Sequence, residues 1–197
     1  IGKRGHLLFL IISLFLSYSI YTKMSIKKFF KIILYIIIFL LCSILIIQII
    51  PGGNNIIERL FNLNNGDIST GRFELYQRIW RLFKDNNYQA LGWGEFSKST
   101  NYFFAGAHND YIQLFCETGL IGFLIIVWCN FYFFFKSLKK IKKTNKKEIF
   151  FIILTYNIFF LLYSLTGLPH YDLEIYLTYF ILNCFLWNYK AEVESEK

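Results

Sequence analysis

Charged residues are scarce in this sequence. Asp, Glu, Lys and Arg make up 17% of the 197 residues, whereas hydrophobic residues make up 55% and aromatic residues 21%. A soluble domain typically carries about 25% charged residues, so this composition argues against the ordinary soluble class. The net charge of +8 does not indicate nucleic-acid binding either, because most lysines lie in the links between apolar segments.

Cysteine is also sparse, and its distribution argues against two further classes. The four cysteines show no spacing typical of a metal site or of a disulfide framework. Each one lies in an apolar segment, where we expect a small and buried side chain. They are Cys42, Cys116, Cys129 and Cys184.

Five apolar segments are candidates for crossing a membrane, which takes roughly 17–25 mainly apolar residues. Backbone groups inside hydrocarbon need internal hydrogen bonds, so each segment is expected to be a helix. The predicted fold class is therefore all-α, a polytopic transmembrane protein with about five spans. The spans are residues 7–22, 32–50, 111–135, 149–166 and 173–188, of which the first and last are short.

The positions of the lysines predict the sidedness of the chain. Four lysines precede the second span, and seven lie in or beside the link after the third. The positive-inside rule places both links in the cytoplasm. Residues 51–107 then form a large outer loop, and residues 136–148 form a cytoplasmic loop. Because the chain starts outside without Met or a signal peptide, we expect residues 1–197 to be the C-terminal part of a longer membrane protein.

Arginine is distributed differently from lysine. All five arginines fall on the predicted outer side, where only three of the sixteen lysines lie. Arg72 stands at the start of a predicted helix over 72–85, where the helix dipole disfavours a cation unless an anion is bound. We therefore predict that Arg72 binds an anion; the alternative is a snorkelling or salt-bridged surface arginine. The arginines are Arg4, Arg59, Arg72, Arg78 and Arg81.

Aromatic residues stand out in two parts of the predicted outer loop. The helix over 72–85 carries an aromatic stripe, which fits either a helix on the outer leaflet or a helix packed on the spans. Further on, two glycines flank Trp93, a pattern typical of a turn with a close backbone approach. Its indole has two open interpretations, stacking on a sugar face or anchoring at the membrane surface. The stripe is Phe73, Tyr76, Trp80 and Phe83.

His108 lies just before the third span, whose helix Asn109 or Asp110 can cap. An imidazole titrates near neutral pH, so it can take a proton from a hydroxyl group. The competing interpretation of a single interfacial histidine is a hydrogen-bonded structural residue, and we assign that role to His6 and His170.

Glu117 lies about seven residues inside the third span, where a carboxylate is expected to face a partner or an aqueous cavity. Arg4 and Arg72 are its candidate partners. Gly119 and Gly122 follow on the same helix, and both are small enough to let another helix approach closely.

Three of these motifs together resemble the family of O-antigen ligases and O-antigen polymerases, bacterial membrane enzymes of glycan synthesis. That family shows Ser/Thr-Gly-Arg early in a large outer loop, then Gly-x-Gly, then His with Asn, Ser or Gln, nine residues and Gly-x-x-Gly. The resemblance covers most of the chain, and the motifs here are Thr70-Gly71-Arg72, Gly92-Trp93-Gly94, and His108-Asn109 through Gly119 and Gly122.

Two positions depart from the family pattern. An earlier Ser-Arg-Gly of the family corresponds to Lys3-Arg4-Gly5 here, so the arginine matches and the serine does not. The residue two before Gly92, often proline in the family, is Ala90.

The resemblance implies an enzyme that transfers a glycan from an undecaprenyl diphosphate carrier to an acceptor hydroxyl, outside the bacterial cytoplasmic membrane. Its partners would be the lipid-linked donor, a glycan or lipid acceptor and the membrane, with no nucleic acid and no cofactor. Arg4 and Arg72 would bind the diphosphate, and His108 would activate or orient the acceptor hydroxyl. We expect Asn109, Glu117, Gly92 and Gly94 to support the site.

No metal is implied, and the sequence agrees because it lacks an Asp-x-Asp pair that would hold a divalent cation near a diphosphate. The alternative function is a transporter or flippase of lipid-linked oligosaccharides. A flippase would place charged residues inside several spans, whereas the predicted spans hold Glu117 and Glu174 without a deep arginine. Polymerase and ligase share the motifs and are not separated by them.

Overall fold

A computed structural model describes residues 2–49, 72–96, 106–143 and 147–189 of the chain. Within these ranges the regular structure is helical, with no strand, which confirms the all-α class. A helix accounts for most of each predicted apolar segment and for the predicted outer helix, although α5 ends three residues before the predicted end at 166. The helices are α1 (Gly2–Tyr21), α2 (Ile26–Ile49), α3 (Arg72–Asp85), α4 (Asp110–Lys143), α5 (Lys147–Tyr163) and α6 (Leu173–Asn188).

One helix among the described residues is long and apolar enough to cross a membrane. It covers Asp110–Lys142, with a mean hydropathy of 1.9 in its most apolar window, and a shorter apolar helix covers His6–Tyr21. These two findings rest on the length and composition of the helices only. The arrangement with five spans therefore stays a prediction, and so does the assignment of residues 1–197 to one membrane domain.

The chain divides into two compact units, residues 23–74 and the remainder. The smaller unit contains α2, a helix that begins among lysines and continues as an apolar run. In the larger unit α1 and α4 pack along α5, and α6 contacts α4 and α5. The side chains of α5 are apolar on nearly all faces, which suits a helix surrounded by others. Its residues Phe150, Ile153 and Leu154 are completely buried.

Large apolar side chains on the outer faces of α4 and α6 are exposed. Ile121 and Trp128 of α4 are 76% and 66% exposed, and Leu173 and Trp187 of α6 are 77% and 60% exposed. Soluble monomers rarely expose large contiguous apolar patches. These faces are therefore suited to contact with lipid.

Three helix ends of the larger unit meet at one end of the bundle. The ring of His6, near the start of α1, packs edge-on against Tyr163 at the end of α5, with centroids 4.1 Å apart. The backbone N–H of Asp110 at the start of α4 donates to the carbonyl of Ser164, at 2.9 Å. The predicted outer ends of α1, α4 and α5 are thus neighbours.

Gly119 interrupts α4 with φ 70° and ψ −179°, a conformation essentially restricted to glycine. Sequence spacing predicted a close helix contact at Gly119 and Gly122, whereas the structure gives these residues other roles. A Cβ atom at Gly119 would meet Ala90 of the preceding loop, and one at Gly122 would collide with Thr118 of the same helix. Spacing alone does not reveal a backbone dihedral, so the break in α4 was not predicted.

The break at Gly119 gives the loop before α4 its attachment point. A regular helix would use the carbonyls of residues 116 and 117 for N–H groups four residues later. Here the Cys116 carbonyl accepts the N–H of Leu91, and the Glu117 carbonyl accepts the N–H of Gly92, both at 3.0 Å. The loop is therefore bound to the helix by its backbone.

Substituting Gly119 by alanine is expected to lower the free energy of unfolding by about 1–3 kcal/mol, because alanine is strained in this conformation. The Cβ itself would fit, since its nearest neighbour would lie 3.5 Å away. Thermal unfolding in detergent measures the change. Leu120→Ala is the control, because Leu120 directly follows Gly119 and its side chain is 58% exposed. Equal melting temperatures for the two variants would contradict the role of this glycine.

Helix α3 packs on the start of α4 through one face. Ile79 and Phe83 are buried, and the Phe83 ring lies 5.3 Å from that of Phe115 on α4. Phe73 and Trp80 of the same predicted stripe are 65% and 50% exposed. The sequence left open whether this helix lies on the outer leaflet or packs on the spans. Phe83 packs against the bundle, whereas the exposed rings of Phe73 and Trp80 form a second apolar face.

Candidate functional site

Asn109 caps α4 and holds its first turn against the end of α5. Its side-chain oxygen accepts the N–H of Ile112 at 3.1 Å. This N–H lies in the first turn of the helix and therefore has no acceptor within the helix itself. Its amide nitrogen donates to the carbonyl of Leu165 at 3.2 Å. The predicted cap is therefore confirmed, with Asn109 as the capping residue.

His108 is presented by a backbone that is fixed on both sides. The preceding N–H, of Ala107, donates to the side-chain oxygen of Gln113 at 2.9 Å, and the following residue is the cap of α4. His108 itself has φ 52°, a left-handed conformation that histidine adopts more readily than most residues. Its side chain is exposed. The imidazole thus projects from a well-anchored turn.

Glu117 is the most highly connected acidic side chain of the site. It is 1% exposed and accepts four hydrogen bonds. One oxygen accepts from the N–H of Phe96 at 3.2 Å and from the amide of Gln113 at 3.1 Å. The other accepts from the N–H of Gly94 at 2.7 Å and from the hydroxyl of Tyr171 at 2.5 Å. All four partners are donors, as a carboxylate requires.

The Gly-Trp-Gly motif is shaped by these bonds. Gly92 has φ 100° and Gly94 has φ 77°, backbone conformations that residues with a Cβ rarely adopt. The two turns direct the N–H of Gly92 to the backbone of Glu117 and the N–H of Gly94 to its carboxylate. The predicted close backbone approach at this motif is therefore an approach to Glu117.

Tyr171, in the turn between α5 and α6, completes the group around Glu117. Burial raises the pKa of its hydroxyl above the ordinary value, and the hydrogen bond to Glu117 and the charge of that group raise it further. The hydroxyl therefore stays protonated and donates. Its ring also stacks on Trp93, with centroids 4.7 Å apart and planes 20° from parallel.

Two residues of this group were missed by sequence reasoning, Gln113 and Tyr171. Gln113 had a usable signal, because it precedes Glu117 by four residues and so shares its helix face. Tyr171 had none, since its contact with Glu117 joins residues that are 54 positions apart.

A second polar cluster joins α4 and α6 to the segment between α5 and α6. Buried Asp110 accepts hydrogen bonds from the hydroxyl of Ser164, at 3.1 Å, and from Nδ1 of His170. Asn130 lies 3.4 Å from Nε2 of His170 and accepts the hydroxyl of Tyr179 at 3.0 Å. His170 is thus a buried, hydrogen-bonded residue, in agreement with the structural role assigned to it.

An apolar groove of about 460 Å³ runs between α4 and α6. Trp93 and His170 line it near the start of α6, and Trp187 and Asn188 line it near the end of that helix. Between them the walls are mainly aromatic and aliphatic side chains, with Asn130 and Asn183 as polar exceptions.

The described residues bring most of the predicted supporting residues together. Gly92 and Gly94 are bonded to Glu117, and Asn109 holds the turn that carries His108. Arg4 lies on α1 two residues before His6, at the end of the bundle where α4 begins, and Arg72 is the first residue of α3. The side chains of both arginines, and all of Thr70 and Gly71, lie outside the described residues.

The described partners of Glu117 are neutral groups, namely two backbone amides, Gln113 and Tyr171. A pairing of Glu117 with Arg4 or Arg72 is thus not needed to satisfy the carboxylate. Across ranges 2–49, 72–96, 106–143 and 147–189, no three His, Cys, Asp or Glu residues are grouped to hold a metal ion. Metal independence stays a prediction.

Comparison with known proteins identifies one family. A family model described as O-antigen ligase matches residues 1–127, a range that includes the motifs from Arg4 to Gly122. Searches of curated proteins and of solved structures found no match to this chain.

Proposed function

We propose that this chain, which belongs to the O-antigen ligase family, transfers a glycan from an undecaprenyl diphosphate carrier to an acceptor hydroxyl outside the bacterial cytoplasmic membrane. The observation that carries the proposal is the family match over residues 1–127, since it spans Arg4, Arg72 and His108. The anchored turn that presents His108 supports the same function, because a catalytic group needs a fixed position.

The reaction needs two kinds of assistance. A bond forms between the acceptor oxygen and the anomeric carbon of the donor sugar, while the bond from that carbon to the diphosphate breaks. His108 takes the proton of the acceptor hydroxyl, and Arg4 and Arg72 bind the departing diphosphate anion. Arginine suits the second task, because its guanidinium binds phosphate oxygens in pairs and keeps its charge when partly desolvated.

The length of α4 supports a site at the membrane surface. Beyond the break at Gly119, the part of α4 from Leu120 to Lys143 extends for about 36 Å, which is enough by itself to cross the roughly 30 Å hydrocarbon core of a bilayer. If the lysine-rich end projects into the cytoplasm, the first turns of α4 project from the opposite face. His108 and Glu117 then lie near the outer surface, within reach of a diphosphate headgroup.

Arginine substitutions in a strain lacking the natural protein test the proposal. We expect Arg4→Ala and Arg72→Ala to abolish surface polysaccharide, because the diphosphate then leaves without charge neutralisation. Arg78→Ala is the matched control, since Arg78 is an exposed arginine on α3. Normal polysaccharide in both test variants, at wild-type protein levels, would contradict the proposal.

The same strain separates the remaining alternatives. A polymerase defect leaves single repeat units on the carrier, whereas a ligase defect leaves polymer of normal length unattached. A flippase defect instead traps the lipid-linked oligosaccharide on the cytoplasmic face, where an externally added glycosidase does not reach it. The neutral donors around Glu117 favour the enzyme, because a carboxylate in a transport path would face water or the transported charged group.

A further inference from the structure

Trp93 presents a flat aromatic surface that is supported from one side. Its indole stacks on the ring of Tyr171, nearly parallel, and yet remains 53% exposed. Trp93 also lines the groove between α4 and α6, whereas Tyr171 does not. Tyr171 therefore backs the indole, and the rest of the indole surface is available at the groove.

A single carboxylate fixes both rings. Glu117 accepts the N–H of Gly94, directly after Trp93, and the hydroxyl of Tyr171, through the same oxygen. Its backbone carbonyl accepts the N–H of Gly92, directly before Trp93. The indole plane is thus set before any ligand arrives, which lowers the entropy cost of binding. A side chain that serves only as an interfacial anchor does not need a fixed plane.

The surroundings of the indole suit a sugar ring. A pyranose has a face of C–H groups that packs on an aromatic surface, and a rim of hydroxyls that needs hydrogen-bonding partners. Trp93 offers the flat surface, and because its indole is half-exposed at this end of the groove, the hydroxyl rim of a stacked sugar can hydrogen-bond to water. Beyond this end the walls are mainly apolar, so an amphipathic ligand would place its polar part beside Trp93.

We propose that Trp93, backed by Tyr171, is a stacking platform for a pyranose ring of the lipid-linked glycan. The proposal rests on the proposed function, because it assumes that such a glycan is the substrate. It assigns Trp93 to binding and specificity for the sugar part of the donor, and Glu117 to positioning the platform.

Binding of two lipids to the full chain in lipid nanodiscs tests the platform. One probe is sugar-free undecaprenyl diphosphate. The other is the undecaprenyl diphosphate-linked oligosaccharide extracted from the source bacterium after deletion of this protein. Trp93→Leu is expected to weaken binding of the glycosylated lipid roughly three- to tenfold, a loss comparable to that of an aromatic contact. Binding of the sugar-free lipid should not change.

Two further variants keep the result interpretable. Trp93→Phe retains an aromatic surface and should bind the glycosylated lipid nearly as well as the natural protein. Trp80→Leu removes another half-exposed indole, on α3, and should change neither affinity. An equal effect of Trp93→Leu on both lipids, or no effect on either, would overturn the platform while leaving the proposed function intact. Failure of the natural protein to bind either lipid would overturn the proposed function and the platform with it.

Discussion

A variant with His108 replaced by asparagine is expected to fold normally and to transfer glycan about 10²–10⁴-fold more slowly, the range typical of losing a general base. The side chain of His108 is exposed, so its removal creates no cavity. Asparagine also tolerates the left-handed backbone that His108 adopts, with φ 52°. The substitution therefore removes the titratable group while keeping the turn.

The measurement is the transfer rate of purified protein, using the lipid-linked oligosaccharide as donor. His6→Ala is the matched control, because His6 packs on Tyr163 at the same end of the bundle. A variant at position 108 with the natural transfer rate would rule out the base.

The helices of this chain were predictable because each apolar run has one dominant physical requirement. Residues inside hydrocarbon must satisfy their backbone hydrogen bonds locally, which fixes the helical state whatever the strand propensity of Ile and Phe. The predicted segment 173–188 coincides with α6, and the predicted helix over 72–85 coincides with α3. Length and hydropathy do not report which helices cross a membrane.

The interior of the site was predictable only in part. A polar residue in an apolar helix marks a place where a partner is required, and this argument singled out Glu117 correctly. The identity of the partners depends on the three-dimensional path of the chain. The N–H of Gly94 and the hydroxyl of Tyr171 reach Glu117 across 23 and 54 residues. Neither contact has a signature in local spacing.

The turn at Gly92-Trp93-Gly94 was predicted, whereas the backbone of the Gly119 and Gly122 motif was beyond sequence reasoning. Gly119 and Gly122 fit a packing motif by their spacing, although Gly119 breaks the helix with φ 70°. The same glycine frees the carbonyls that hold Leu91 and Gly92. The motif around Trp93 and the motif that starts at Gly119 therefore act together, because the loop with its left-handed turns is hydrogen-bonded to the helix at the break.

The four hydrogen bonds to the Glu117 carboxylate predict a large effect for Glu117→Gln, a substitution that keeps the size of the side chain. The amide replaces one acceptor oxygen by a donor group. The new NH₂ group faces two existing donors in either orientation of the amide. In one orientation these donors belong to Gly94 and Tyr171, and in the other they belong to Phe96 and Gln113. A buried donor without an acceptor costs about 1–3 kcal/mol. We therefore expect the free energy of unfolding to fall by about 2–6 kcal/mol.

Hydrogen exchange locates the damage. The amides of Gly94 and Phe96 should lose protection in Glu117→Gln, and the melting temperature should fall. Tyr171→Phe removes one of the four donors and keeps the ring on Trp93, so it should cost less, about 1.5–3 kcal/mol for a bond to a charged group. Glu174→Gln is the matched control, because Glu174 is an exposed carboxylate in the first turn of α6.

The pair of substitutions at positions 108 and 117 separates chemistry from architecture. His108→Asn should lower the transfer rate while the melting temperature stays near that of the natural protein. Glu117→Gln should lower both, because the loop that carries Trp93 loses its anchor before any substrate binds. If Glu117→Gln instead melts like Glu174→Gln and keeps its amide protection, then the carboxylate does not hold the loop. Any remaining loss of activity would then place Glu117 in the reaction itself.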